Sequence, residues 1–293
     1  MSSLPPNFMG LPVEATGYEK STVAILPVPW EKTTSYMKGT GNGPQAIIDA
    51  SHQVEFYDAE LGCESWAPGI HTCPAIEFGK SDAKTALDKV EKTFGQLLDD
   101  KKFPIALGGE HTLTAGCVAA AAKRFRNLSI LQIDAHADLR ESYDGTPYSH
   151  ACAMRLSLRY VKKLVGVGIR SVSTEEVEFA KQHPEITLLY DHEIHKDPQW
   201  IQKALQGLTD HVYLTVDIDG FEPNLVPATG TPVPGGLSWH EGLDLIHALF
   251  KNKKVVGADL VELLPMSSSH ASSFTAANLV YKLIGYFKKY PKG

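Results

Sequence analysis

No run of the 293-residue chain approaches the ~18 to 20 uninterrupted apolar residues of a membrane-spanning helix, and the opening "MSSLPPNFMGLP" lacks the basic start and apolar block of a secretory leader. No membrane partner is expected, and the expected location is cytoplasmic. Positive charge is also in short supply: 28 Lys and Arg stand against 34 Asp and Glu, a formal net charge of -6. The chain therefore has no general attraction to nucleic acid or anionic lipid, and its expected partner is a small molecule or another protein. Cysteine is scarce. Cys63, Cys73, Cys117 and Cys152 form no CxxC pair and are too few for a disulfide scaffold, so free thiols in a reducing compartment are expected, with a Cys63 to Cys73 pairing as the oxidising alternative. Apart from a Pro-rich start, no linker, repeat or low-complexity tract interrupts the sequence. Residues 1–293 read as one domain with one sizeable core.

What the chain does have is alternation. Short β-branched or apolar runs at 23–29, 104–109, 128–134, 164–169, 186–190, 211–219 and 255–263 read as strands. Between them, apolar residues three or four apart predict helices at 84–101, 175–183, 198–208 and 239–252. Ser173 and Thr174 ahead of Glu175, and Ser238 ahead of Glu241, supply capping oxygens at two of the starts. This pattern argues for an α/β fold, a mostly parallel sheet with helices on both faces. Functional groups in such sheets gather beyond the carboxyl ends of the strands.

Four predicted strand ends carry unusual chemistry. "GGEH" (108–111), "DAHAD" (134–138), "DIDG" (217–220) and "VELLP" (261–265) each follow an apolar run. If "LQIDAHAD" continues extended, Asp134, His136 and Asp138 project from one face, and Asp217 and Asp219 repeat the pattern. Burying like charges together is costly unless something compensates. With His111 the set holds four carboxylates and two imidazoles, a charge that two divalent cations would balance and a single Zn2+ would not. Oxygen-rich ligands with some imidazole and no thiolate suit Mn2+, although Co2+, Fe2+ or Zn2+ fit the same donors. An isolated Asp more commonly caps a helix or a turn, but DxHxD, DxD and GGEH together point to a metal centre.

The segments "GGEHTLTAG", "DAHADLR", "YSHACAMR", "VDIDGFEPNLVPATGTPVPGGLSW" and "GADLVELLP" closely resemble the ureohydrolase (arginase and agmatinase) family, particularly its agmatinase-like branch, in the family's order and from residue 35 to 265. The resemblance implies a three-layer α/β/α sandwich with a central, mostly parallel sheet, two Mn2+ per subunit, and a homotrimer or homohexamer. It implies that Asp134 and Asp217 bridge the two ions, that His111 and Asp138 complete one coordination shell, and that His136 and Asp219 complete the other.

Two cations close together lower the pKa of a shared water and so supply a nucleophile without any serine or cysteine. For a guanidinium substrate, attack on the central carbon and collapse to urea require protonation of the leaving amine. His150 in "YSHAC" matches the family's active-site histidine and is the candidate proton relay. Glu262, on an apolar strand where a carboxylate is costly unless paired, is the candidate guanidinium anchor; a salt bridge to an internal Arg is the plainer alternative. Asp138 is also placed to accept a hydrogen bond from the nucleophile. The Gly/Pro loop at 229–239 reads as a wall of the cleft, and Arg170 in "GIRS" reads as structural rather than catalytic.

For the substrate's tail, the loop "LRESYDGTPYSH" (139–150) lacks the Ser-Gly-Asn segment with which arginases hold an α-amino acid end, and it contains Glu141 and Asp144. An acidic rim suits a cationic tail, so agmatine, hydrolysed to putrescine and urea, is the expected substrate. Guanidinobutyrate, guanidinopropionate, arginine, formiminoglutamate and guanidine stay open. So do a single-zinc deacetylase or amidohydrolase on a related scaffold and a metal-stabilised regulator without activity.

Overall fold

The apolar runs pair as the alternation requires. In the computed structural model, which describes residues 6–291, the strands are β1 (Val23–Val28), β2 (Tyr57–Asp58), β3 (Cys63–Glu64), β4 (Ile70–Thr72), β5 (Phe103–Gly108), β6 (Leu128–Ile133), β7 (Lys163–Ile169), β8 (Ile186–Tyr190), β9 (His211–Asp217) and β10 (Lys254–Val261). The helices are α1 (Gly43–Ser51), α2 (Ala83–Asp99), α3 (Thr114–Ala122), α4 (Ala153–Ser157), α5 (Thr174–Gln182), α6 (Asp191–Ile194), α7 (Trp200–Gln206), α8 (Trp239–Asn252) and α9 (Ala271–Lys289). Among the described residues, eight strands form one sheet in the order β4-β1-β5-β10-β9-β6-β7-β8. Every neighbouring pair in it is parallel. β2 and β3 form a separate antiparallel pair.

Side chains alternate across the sheet and so build two cores. Val23 and Ile25 of β1, Ile105 and Leu107 of β5, and Val212, Leu214 and Val216 of β9 pack with α1, α7, α8 and α9. The intervening Ala24, Leu26 and Val28, with Ala106 of β5 and Tyr213 of β9, pack with α2, α3 and α4 on the opposite face. The result is the three-layer α/β/α sandwich that the sequence predicts. Buried on both faces, central strands such as β1, β5 and β6 have no exposed residue, which is why they read as continuous apolar runs.

The helix starts follow local chemistry. Ser173 and Glu176 form a capping box at α5, and Ser238 and Glu241 form another at α8, satisfying backbone N–H groups that have no partner inside the helix. Sequence periodicity found α2, α5, α7 and α8 within a few residues of their observed bounds. All four cysteines are free among the described residues, and there no helix is long and apolar enough to cross a membrane. Most consequential is the strand order. β5, β10, β9 and β6 are consecutive in the sheet, and they are the four strands whose ends carry the polar motifs.

Candidate metal centre

Each motif begins where its strand stops. β5 ends at Gly108, and a Cβ on the following Gly109 would lie 2.2 Å from the Trp30 carbonyl oxygen, so only glycine lets the chain pass β1 there. His111 then opens a short 3-10 turn leading into α3. β6 ends at Ile133, earlier than the sequence pattern implies, so Asp134, His136 and Asp138 do not share one face of an extended strand. The backbone turns because Asp134 Oδ1 accepts the His136 N–H at 2.6 Å, an Asx-type bond that competes with the ladder. Asp138 takes a left-handed φ of 52°, uncommon for a residue with a side chain. β9 ends at Asp217, whose Oδ1 accepts the Asp219 N–H at 3.0 Å and starts another 3-10 turn.

These turns bring the predicted ligands together. His111 Nδ1 lies 3.0 Å from Asp138 Oδ2, 3.2 Å from Asp134 Oδ2 and 3.4 Å from Asp217 Oδ2. On the other side of Asp134, His136 Nδ1 lies 3.1 Å from Asp219 Oδ2 and 3.6 Å from Asp134 Oδ1. Two overlapping groups can each hold a metal ion, His111 with Asp134 and Asp217, and Asp134 with His136 and Asp219. Asp134 belongs to both. Asp138 joins through its contact with His111.

The donors fit a cation on two counts. His111 is 1% exposed, and its Nδ1 has no hydrogen-bond partner among the described residues, although three carboxylate oxygens surround it. Its other nitrogen, Nε2, sits 2.8 Å from Thr215 Oγ1, and the Thr215 hydroxyl donates to Asp259 Oδ1 at 2.6 Å. A hydroxyl that gives its only proton to a carboxylate must accept from the ring, so Nε2 carries a hydrogen and Nδ1 is the nitrogen left facing the carboxylates, free to ligate a cation that displaces its proton. Tyr213 and Thr114 donate to Asp259 Oδ2, so this buried carboxylate receives three hydroxyl bonds. A metal-ligating histidine is commonly oriented by such a partner on its far nitrogen.

The second count is charge. Burial alone would push the His111 imidazole down, but Asp134, Asp138 and Asp217 outweigh it and hold it well above the ordinary histidine range. His136 is pushed up to about 12 in the same way, by Asp219 and Asp134 against the effect of burial. Asp217 is driven well above the usual carboxylate range, first by burial and then by Asp219 and Asp134. The cluster demands positive charge, which divalent cations would supply.

Around it lies a cleft lined by Met37, Arg140, Tyr143, His150, Thr231 and Glu262, among others. Glu262 follows β10 directly, with a left-handed φ of 62° that swings it off the strand. Its Oε1 accepts the His111 N–H at 2.7 Å, and burial, reinforced by Glu110, raises its carboxyl well above the usual range. A carboxyl so placed is suited to a cationic ligand. His150 opens the 3-10 turn that leads into α4, with Nδ1 3.2 Å from Thr33 Oγ1, and Thr33 Oγ1 donates to Glu110 Oε1 at 2.9 Å.

The Gly/Pro loop contributes Gly230 and Thr231 to the wall. It is anchored by Arg170, which donates to the carbonyls of Asp219, Phe221 and Val233. Gly236, with a φ of 113°, passes so close to Phe221 that a Cβ would stand 2.8 Å from that backbone. The two acidic residues of the expected rim do not line the cleft itself. Glu141 and Asp144 are exposed and not among the described lining residues; Arg140, 5.3 Å from the Tyr143 ring and 4.0 Å from Glu176, faces the cleft instead. Residue 144 lies in a turn, with φ 49° followed by Gly145 at 78°, that directs its side chain to solvent.

The family model described as the arginase family matches residues 21–285. The chain belongs to the arginase family. Its sequence is 39% identical over 279 residues to the N(1)-aminopropylagmatine ureohydrolase of Synechocystis, covering 93% of this chain and 91% of that one. It is 36% identical over 277 residues to the agmatinase of Bacillus anthracis, covering 92% and 94% respectively. Among solved structures, the agmatine ureohydrolase of Thermoplasma volcanium superposes with a TM-score of 0.88 at 31% identity, covering 99% of this chain and 96% of that one. The arginase-family chain is thus a hydrolase of C–N bonds in linear amidines, on the fold its sequence predicts. Sequence reading named the six residues that converge here, together with His150 and Glu262 on the cleft, and it missed Thr33, Glu110, Thr215 and Asp259, which hydrogen-bond around the two histidines.

Proposed function

We propose that the protein is a binuclear manganese ureohydrolase that releases urea from an agmatine-type guanidine, a substrate with an alkyl amine tail. The observation that carries this reading is the pair of overlapping ligand groups sharing Asp134, with Glu262 and His150 on the same cleft. Asp134 and Asp217 would be shared between the two cations, with His111 and Asp138 holding one and His136 and Asp219 the other. Carboxylates and imidazoles without thiolate favour Mn2+. Such a pair of cations supplies an activated water nucleophile at neutral pH.

The remaining work falls to the chain. Glu262 pairs with the guanidinium, its orientation already set by the His111 N–H. Asp138 accepts a hydrogen bond from the nucleophile, and His150 delivers the proton to the departing amine. The tail extends past Met37 and Tyr143 toward the mouth. N1-aminopropylagmatine is the first choice and agmatine the second, since the relative of that name has the greater identity of the two compared. Arg140 on the lining favours a different reading, a carboxylate tail as in guanidinobutyrate, but Glu176 and the Tyr143 ring already face its guanidinium. We assign the catalytic unit to one domain over 1–293 and its assembly to a homotrimer or homohexamer, which light scattering tests.

The deciding experiment strips the enzyme of metal, restores Mn2+, and measures urea from N1-aminopropylagmatine, agmatine, guanidinobutyrate and arginine while counting bound ions. About two Mn2+ per chain and highest kcat/KM on the amine-tailed guanidines are expected. One tightly bound Zn2+ per chain without urea release would point to the deacetylase alternative, and preference for guanidinobutyrate would reassign the tail to Arg140.

A further inference from the structure

His150 is tied down from behind by groups outside the cleft lining. Thr33 Oγ1 is 2.9 Å from Glu110 Oε1, 3.0 Å from the His150 backbone nitrogen and 3.2 Å from His150 Nδ1. Glu110 is fully buried and its carboxylate is fully engaged: Oε2 accepts the N–H groups of Lys32 and Thr33 at 2.7 and 2.6 Å, and Oε1 accepts the hydroxyls of Thr112 and Thr33. A threonine hydroxyl has one proton to give. The shorter bond to a carboxylate is the stronger claim on it, so the Thr33 proton lies toward Glu110. The oxygen's lone pairs then face His150, whose backbone N–H supplies one donor. A bare Nδ1 would set two lone pairs against each other at 3.2 Å, whereas an Nδ1–H completes the bond.

We infer that Glu110 and Thr33 are positioning residues that lock His150 in the Nδ1–H tautomer, keeping Nε2 as the basic nitrogen presented to the cleft. This rests on the proposed role of His150 in proton transfer. Nε2 can take a proton from the attacking water and pass it to the leaving amine only if it starts with a lone pair. The opposite tautomer would point that lone pair into the protein, and the ring could not begin the cycle. Ser149 Oγ, 3.3 Å from the same Nδ1, is a further acceptor compatible with this arrangement.

Glu110→Gln gives a directional test. Two backbone N–H groups bind the Oε2 position, so the amide oxygen must occupy it and the NH2 group must face Thr33. Thr33 Oγ1 would then accept from Gln and donate to Nδ1, reversing the tautomer without emptying the site. The experiment labels the metal-free chain with 15N-histidine, assigns the His150 ring nitrogens by difference with His150→Asn, and reads protonated and unprotonated nitrogen shifts. Wild type is expected to show protonated Nδ1 and bare Nε2, Glu110→Gln the reverse, and Thr33→Val a mixture. Thr33→Ser, which keeps the hydroxyl, is expected to retain the wild-type pattern.

In the Mn2+-loaded enzyme, kcat should fall roughly 10²- to 10⁴-fold for Glu110→Gln with KM changed only a few-fold, and Thr33→Ser should recover most of the kcat that Thr33→Val loses. A wild-type His150 with protonated Nε2, or an unchanged tautomer in both Glu110→Gln and Thr33→Val, overturns the inference. If Glu110→Gln does not fold, Thr33→Val against Thr33→Ser decides it alone. Absence of urea release by the wild type would instead overturn the proposed function, while the tautomer measurement stands independently.

Discussion

His111 and His150 both line the cleft and have the same wiring. Each ring nitrogen meets a threonine hydroxyl that donates to a buried carboxylate, Thr215 and Asp259 for His111, Thr33 and Glu110 for His150. They differ in which nitrogen is held. At His111 it is Nε2, so Nδ1 faces the ligand cluster; at His150 it is Nδ1, so Nε2 is left for the cleft. Each begins a short 3-10 turn into a helix, α3 for His111 and α4 for His150, but their burial differs: His111 is sealed in the interior, while His150 is half-buried. On the proposed function, one device serves two chemistries, orienting one ring for coordination and the other for proton transfer.

The comparison breaks most severely if the ligand cluster itself is disabled. Asp134→Asn takes a charge from the residue common to both ligand groups, so Mn2+ content after dialysis should fall at both positions and kcat/KM should drop by on the order of 10³-fold or more. Metal content equal to wild type would sink its bridging assignment. His150→Ala should do the converse, keeping the bound metal and the KM within a few-fold while kcat falls roughly 10²- to 10⁴-fold. Metal loss in that variant would mean that His150 belongs with the ligands and that the two sides do not have separate tasks.

Thr215→Val tests the His111 side by itself. Without the hydroxyl, Nε2–H loses its acceptor and Asp259 one of its three donors, so the Mn2+ affinity should weaken roughly 10- to 100-fold. The unpaired buried groups should cost about 1 to 3 kcal/mol of fold stability, read by denaturant unfolding of the metal-free chain. If affinity is unchanged, the hydroxyl bridge does not orient His111. The matching change at Thr33 is expected to act on kcat instead, a contrast that tests whether the same wiring is put to different uses.

Much of this was legible in the sequence, for a physical reason. Charged residues ending apolar strands break the burial rule, so Asp134, His136, Asp138, Asp217 and Asp219 announced themselves, and parallel topology told where they would meet. The threonines did not, because Thr215 in a strand reads as ordinary β-branched packing. Asp259 and Glu110 sat inside quoted motifs but were overshadowed by Glu262 and His111, and nothing along the chain pairs residue 33 with residue 150. Among helices, α3 went unnoticed because nearly every residue of it is buried, leaving no amphipathic period to find. Glu141 and Asp144 were legible as charges but not in their aim, because a charge in a loop says little about which way the turn directs it.

The smallest expected effect isolates the His150 wiring from its closest rival. Ser149 Oγ lies 3.3 Å from His150 Nδ1, only slightly farther than Thr33 Oγ1 at 3.2 Å, so distance alone does not rank them. The difference is that Thr33 is itself held by Glu110, which commits its proton and leaves it an acceptor, whereas no such carboxylate bond is found for the Ser149 hydroxyl among the described residues. Ser149→Ala should therefore leave the 15N tautomer pattern of His150 unchanged and lower kcat by less than about 3-fold, with about 1 kcal/mol lost from stability for the buried hydroxyl. If Ser149→Ala lowers kcat as much as Thr33→Val, orientation at His150 comes from the hydroxyl beside it in the chain, and the parallel with His111, whose threonine and carboxylate come from distant strands, no longer holds.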